Sequence, residues 1–220
     1  MNRAQPARLR LVLASHNAGK LAELQALFAP LPLHLVAQPS LGLAEAEEPH
    51  ATFIENALAK ARHAARATGQ AALADDSGLC VDALGGAPGV ISAHYAPLLP
   101  AEAPEPDREA LRRRQDAANN ALLVQRLQGQ ATRRASFVCT LVALRSADDP
   151  QPLVASGRWQ GEILGSPRGS GGFGYDPLMY IPALGASVAE LSRELKSAHS
   201  HRALACKQML QLMRQAWGLV

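Results

Sequence analysis

Ala71-Ala72-Leu73-Ala74-Asp75-Asp76-Ser77-Gly78-Leu79 carries a short apolar run straight into two adjacent carboxylates, a hydroxyl and a glycine. Ala71 to Ala74 has the length and composition of a buried strand. Gly78 permits a sharp or left-handed turn, so the pattern predicts a corner that brings backbone close to a ligand. Because side chains alternate along a strand, Asp75 and Asp76 are expected on opposite faces, one toward a site and the other bracing the turn. Asp-Ser-Gly is also ordinary turn chemistry, and only the remaining sequence separates the two readings.

Upstream, Thr52-Phe53-Ile54-Glu55 has the spacing of a capping box, and the alanine-rich segment running to Thr68 reads as a helix burying Phe53, Ala57, Ala61 and Ala64. Lys60, Arg62 and Arg66 fall on its expected exposed face. Earlier still, Leu9, Leu11 and Leu13 alternate with Arg10 and Val12 as a strand, while Leu21, Leu24, Leu27 and Phe28 recur at helical spacing. Between them, Ser15-His16-Asn17-Ala18-Gly19-Lys20 is a polar loop at a helix N-terminus. Backbone N–H groups and the positive end of the helix dipole suit an anion there, and Lys20 adds a full charge. Phosphate is the expected ligand; the alternative is a strand-to-helix turn with an incidental lysine. The loop is not a P-loop, because its first glycine is missing and Leu21 stands where a magnesium-binding hydroxyl belongs. Leu33 to Ala37 reads as a second strand, followed by a loop with Glu45, Glu47 and Glu48 that is merely solvated unless it faces Asp76.

Downstream, Gly85-Gly86-Ala87-Pro88-Gly89 is a loop by composition, and Pro97 to Pro106 is a stiff polar segment expected to connect lobes or lie over a partner subunit. Asp107 to Leu127 reads as a charged helix with a solvated Arg112-Arg113-Arg114 run. Phe137 to Leu144 and Pro152 to Ile163 read as paired strands joined by a turn in which Asp148 and Asp149 are structural. The glycine-rich stretch Gly165 to Gly174 leads into Phe173-Gly174-Tyr175-Asp176-Pro177. Its two aromatics and acid either stack on a base and accept from its edge, or tuck into the core around a glycine hinge. Ser187 to Glu190 is a second capping box, opening a short helix before Lys196. The last helix buries Ala203, Cys206, Leu210, Met213 and Trp217, and its start carries His199, His201 and Arg202, placed to reach over a site instead of into the core.

With 220 residues, 48% of them hydrophobic, the chain can bury a core as one domain or one domain with a lobe. Its formal charge of +3 suits an acidic ligand such as a nucleotide. Aromatics at 4% and scattered basic residues argue against a nucleic-acid platform. Cys80, Cys139 and Cys206 lack zinc spacing and read as reduced thiols filling the core. No apolar run approaches the roughly 18 residues of a membrane span. After the basic Met1 to Arg10, the run Leu11 to Ala14 is too short for a signal peptide, so the expected compartment is the cytoplasm.

Six ordered motifs are similar to those of the inosine/xanthosine triphosphate pyrophosphatase family, and the resemblance spans nearly the whole chain. They are Ser15 to Lys20, Thr52 to Ala57, Asp75 to Leu79, Gly85 to Gly89, Phe173 to Pro177, and Lys196-Ser197 with Ser200-His201-Arg202. The resemblance implies an α/β fold with an elongated mixed central sheet flanked by helices. It also implies one domain over residues 1–220 with two lobes and an active-site cleft between them, and a homodimer. It assigns the triphosphate to the loop Ser15, His16, Asn17, Ala18, Gly19 and Lys20. Asp76 matches the catalytic carboxylate and metal ligand, Glu47 a second Mg²⁺ ligand, and Ser77 a nucleotide contact. Phe173, Gly174, Tyr175, Asp176, Lys196, His201 and Arg202 match residues around base and sugar.

The implied reaction hydrolyses deaminated purine nucleoside triphosphates (dITP, ITP, XTP, dXTP) to monophosphate and pyrophosphate, with Asp76 as Mg²⁺ ligand or as base toward water. No stable nucleic-acid partner and no membrane association are expected. Two competing readings are a non-catalytic nucleotide- or RNA-binding protein and a related pyrophosphatase for another altered nucleotide. The acids at Glu47, Asp75 and Asp76 count against the first, because without a metal they repel phosphate.

Overall fold

Short alternating runs make the strands, and local capping makes the helices. The computed structural model of the protein describes residues 9–97 and 108–219. Seven strands form one sheet: β1 (Leu9–Leu13), β2 (Leu33–Ala37), β3 (Ala71–Val81), β4 (Arg134–Leu144), β5 (Leu153–Ile163), β6 (Met179–Ile181) and β7 (Ala186–Ser187). Their order is β2-β1-β3-β4-β5-β6-β7. β1 runs parallel to β2 and β3, with Leu11 opposite Leu35 on one side and Ala71 on the other. β6 is antiparallel to β5 and β7, so the sheet is mixed. The helices are α1 (Ala18–Phe28), α2 (Phe53–Thr68), α3 (Arg108–Arg126), α4 (Arg193–His199) and α5 (His201–Trp217). The expected loop Pro97 to Pro106 lies, from residue 98 onward, outside the described residues.

The chain divides into two compact units. One takes the chain up to Asp76, Cys139–Gly157 and the chain from Arg202 on; the other takes Ser77–Val138 and Arg158–His201. In the first, period-two alternation sends Leu11, Leu13, Ala71, Leu73, Cys139 and Leu141 into one core with Leu24 and Phe28 of α1 and Cys206, Met209 and Met213 of α5. The intervening Val12, Ala14, Ala72, Ala74 and Val142 pack in a second core against Ala57, Ala61, Ala64 and Ala65 of α2. Helices thus cover both faces of the parallel strands, as a βαβ-type connection requires. The small residues of α2 let it lie close to the sheet. In the second unit, Leu79, Val81, Leu123, Leu127, Phe137, Trp159, Tyr175 and Leu178 share one core.

Both termini of α2 are chemically specified. The Thr52 hydroxyl accepts from the Glu55 N–H at 3.3 Å and donates to the Glu55 carboxylate at 2.6 Å. At the other end Gly69, at φ +65°, donates its N–H to the Ala65 carbonyl at 2.9 Å. Cys139 and Cys206 are buried free thiols, and burial pushes Cys139 up to about 12, in keeping with inert core filler. Asp149 is a turn acid as expected, accepting from the N–H groups of Arg145 and Gln151 at 2.9 and 3.0 Å.

Expectations about the path of the chain need correction here. No corner forms at Asp75-Asp76: β3 runs on through Ser77 and Gly78 to Val81. Both carboxylates meet cationic partners inside the protein, Lys20 and Arg202 at Asp75 and Lys60 at Asp76. The Ser187 capping box opens only a single 3₁₀ turn, Val188–Glu190, and α4 starts from its own cap at Ser192. Arg202 turns into the core, 1% exposed, where its charge is matched by acids.

Candidate active site

The alternation that builds the two cores also separates the two carboxylates. Asp75 continues the Ala71-Leu73 face toward α1 and α5, where Lys20 Nζ lies 2.9 Å from its Oδ2 and Arg202 Nε 3.9 Å. Asp76 continues the Ala72-Ala74 face toward α2. Its Oδ2 accepts from Asn56 Nδ2 at 3.2 Å, and Lys60 Nζ lies 3.7 Å from its Oδ1. The same Lys60 ammonium donates to Glu48 Oε1 at 2.7 Å, bringing the acidic loop after β2 into the network. Asn56 also holds that loop, exchanging hydrogen bonds with the backbone of His50.

Around the start of α1, Asn17 is the N-cap and accepts from the Lys20 N–H at 3.1 Å, while its carbonyl takes the Leu21 N–H. The Ser15 hydroxyl accepts from the Asn17 N–H at 3.3 Å, and the His16 ring bonds to the Leu43 carbonyl at 3.0 Å. The helix thus begins at Ala18 with the orphan donors of a first turn and a lysine beside them. The Lys20 ammonium, with its three donors, pairs with Asp75 from the start of this helix.

The two acids are tuned in opposite directions. Burial works to raise Asp75, but the charges of Lys20 and Arg202 outweigh it and hold this carboxyl well below the usual range. Burial pushes Asp76 up to about 6, with Glu48 adding to the shift and Lys60 opposing it. The unfolded chain takes up protons at both acids near pH 4. Asp75 therefore contributes stability above about pH 4 that is lost as the pH falls further, whereas Asp76 costs stability that is relieved as the pH falls from 7 through 6. In metal-free buffer the melting temperature is expected to rise a few degrees from neutral pH to about pH 5 and to fall below about pH 4. Calorimetry across that range checks it; a flat profile above pH 5 would contradict the tuning of Asp76.

In the second unit, Tyr175 and Asp176 are buried and Phe173 is only partly so. The Tyr175 hydroxyl donates to the Ser92 carbonyl at 2.9 Å, so this ring belongs to the core and does not stack on a ligand. Asp176 Oδ2 accepts from the Phe173 N–H at 3.0 Å and from Lys196 Nζ at 2.8 Å, and that ammonium lies 4.6 Å from the Phe173 ring centroid. His201 stacks on Phe137 with centroids 5.0 Å apart. Tyr175 thus takes the core reading of the aromatic turn, while Phe173 is partly exposed with the Lys196 and Arg112 cations beside its ring.

A family model described as the Ham1 family matches residues 11–212. The chain belongs to the Ham1 family. Its relatives include the dITP/XTP pyrophosphatase of Methylibium petroleiphilum, 72% identical over 95% of this chain and 99% of that protein, and that of Leptothrix cholodnii, 70% identical over 96% of this chain and 100% of that protein. A solved HAM1 protein from Coxiella burnetii superposes with a TM-score of 0.82 at 41% identity, covering 94% of this chain and 100% of that one.

In this Ham1 chain Lys60 and Asn56 join Asp76 without an individual role expected from the sequence, and Glu48 meets the stated condition that its loop reach Asp76, through Lys60. Lys60 is 8% exposed, not on a solvated face, and Asn56 is 1% exposed; a lone lysine on an alanine stripe was the one available signal. Glu47, expected as a metal ligand, is exposed on the same loop, and the acid drawn to Asp76 through Lys60 is Glu48. Arg112, expected to be solvated, is partly buried with its guanidinium 5.7 Å from the Phe173 ring centroid. Ser77 is partly buried in β3 directly after Asp76. Among the described residues no helix is long and apolar enough to cross a membrane.

No group of three or more His, Cys, Asp or Glu side chains among the described residues is poised to hold a metal ion. A magnesium ion does not require one. It takes one or two carboxylates and completes its shell with water and substrate phosphate oxygens. Asp76 and Glu48 carry carboxylate oxygens of the kind such a shell uses, and both lean on one cation, the Lys60 ammonium.

Proposed function

We infer that this protein hydrolyses deaminated purine nucleoside triphosphates, dITP, ITP, XTP and dXTP, to the monophosphate and pyrophosphate. The observation that carries the reading is Asp76: a buried carboxylate with its pKa raised to about 6, bracketed by Asn56 and Lys60 on the strand whose other face holds Lys20. The first-turn N–H groups of α1, Lys20 and Lys60 bind the polyanion. Asp76 takes a proton from water as its oxygen attacks the α-phosphorus, and pyrophosphate leaves with the bridging oxygen. A pKa near the working pH suits that exchange. Mg²⁺ would be held by Asp76 with the Glu47-Glu48 loop and would supply neutralisation of the phosphate charge.

Base and sugar recognition falls to Phe173, Gly174, Lys196, Asp176 and His201, and Ser77 is a further nucleotide contact. A 6-oxo purine accepts a hydrogen bond where adenine's 6-amino group donates one, so donors such as Lys196 satisfy the first and oppose the second. Arg202, ion-paired with Glu23 and close to Asp75, serves instead to hold the acid that holds Lys20. We further assign the protein to the cytoplasm, where the nucleotide pool is, as a homodimer.

The test is a panel of ITP, dITP, XTP, ATP and GTP, with and without Mg²⁺, assayed for pyrophosphate. Metal-dependent release confined to the deaminated nucleotides is the expected result; release from none of them would end the assignment. Lys20→Ala is expected to raise KM for ITP about 10- to 100-fold, the worth of one charge-assisted hydrogen bond, with a smaller effect on kcat. An unchanged KM would remove the phosphate role of the α1 start.

A further inference from the structure

α3 directs three side chains, each four residues apart, at the aromatic turn of the second unit. The Arg112 guanidinium lies over the Phe173 ring, Asp116 Oδ2 accepts from the Gly174 N–H at 2.8 Å, and Asn120 Nδ2 donates to the Gly174 carbonyl at 3.0 Å. Spacing of four puts all three on one helical stripe. Gly174 sits at φ +62°, a left-handed conformation open to glycine at little cost, and among the described residues no atom lies within 4 Å of where its Cβ would be. Glycine is thus required for its backbone conformation and not for space, and both polar groups of that one residue are held from the same helix. On the other side, the Phe173 N–H is tied to Asp176, which also holds Lys196. The backbone on either side of the Phe173 ring is pinned, while the ring itself is partly exposed.

We propose that Asp116 and Asn120 are positioning residues for base recognition: they clamp Gly174 so that the Phe173 ring, with Lys196 and Arg112 beside it, meets the purine in one orientation. The proposal rests on the pyrophosphatase reading above. Neither residue touches the reacting phosphate; their effect belongs to base binding and discrimination, because a ring held in one pose loses less freedom when a base stacks on it.

Asp116→Leu and Asn120→Ala are each expected to raise KM for ITP about tenfold, leave kcat within about threefold, and narrow the ITP-to-ATP ratio of kcat/KM. Inhibition by inorganic tripolyphosphate, which carries no base, stays within about twofold. Asp116→Asn is expected to restore near-normal KM, since its amide oxygen still accepts from the Gly174 N–H. Melting temperatures report folding, and if Asp116→Leu does not fold, Asn120→Ala carries the test. Variants that melt lower but keep KM and the ITP-to-ATP ratio would show a purely structural clamp and overturn the proposal. Equal loss of tripolyphosphate inhibition would overturn it as well. If the wild-type protein does not cleave ITP, the pyrophosphatase reading fails; if it does and the variants match it, the clamp alone fails.

Discussion

Asp76→Asn is expected to lower kcat for dITP by about 10²- to 10⁴-fold, the usual worth of a positioned general base, with the fold intact. Asparagine keeps the shape and still accepts from Asn56, but it takes no proton from water and is a poor ligand for a hard cation. The same change removes a buried charge. A carboxyl raised from 3.8 to about 6 carries a penalty of about 3 kcal/mol at neutral pH, so the variant is expected to melt no lower than wild type and up to several degrees higher. What offsets the gain is Lys60, which loses one of its two carboxylates and keeps Glu48. The rise in melting temperature on mild acidification should disappear in this variant while the loss below pH 4 remains, because that loss belongs to Asp75. Wild-type turnover in Asp76→Asn would refute the assignment, as would lost turnover accompanied by lost cooperative unfolding.

Arg202→Met is the substitution expected to cost most stability, about 3–5 kcal/mol, or a melting temperature lower by about 10 °C. Arg202 is fully buried, paired with Glu23 of α1 and 3.9 Å from Asp75. Methionine fills much of the volume but takes one cation away from buried Asp75, which keeps Lys20 at 2.9 Å and the more distant charge of Lys60. Lys20 is then held harder by Asp75 and offers less to phosphate, so KM for ITP rises as well. Adding Asp75→Asn to Arg202→Met removes the stranded charge, and the double variant is expected to regain part of the lost stability, a coupling that a double-mutant cycle measures directly. Arg202→Met as stable as wild type, or strict additivity in the cycle, would show that the pairing contributes nothing.

Several parts of the site were legible from local chemistry. The cap at Thr52 and the strand boundaries at Leu9–Leu13 and Leu33–Ala37 depend on residues a few positions apart, and there the expected and observed limits coincide, whereas α1 starts at Ala18, inside the stretch expected to be loop. The charged side chains were read wrongly wherever their partners came from afar. Lys60 on a helix face and Arg202 at a helix start have solvent as their default partner, and nothing near them in sequence says otherwise.

What the amino-acid order determined alone was the alternation and capping that make an α/β chain, and the placing of Asp75 and Asp76 on opposite faces of one strand, because period-two geometry is local. What only the tertiary structure decided was the partner of each charge. Arg202 meets Glu23 across 179 positions, Lys60 joins Glu48 to Asp76, and β3 runs straight through its acids instead of turning. The physical reason is that a buried charge is tolerated only where an opposite charge arrives to meet it, and which segments meet is a property of the packed chain.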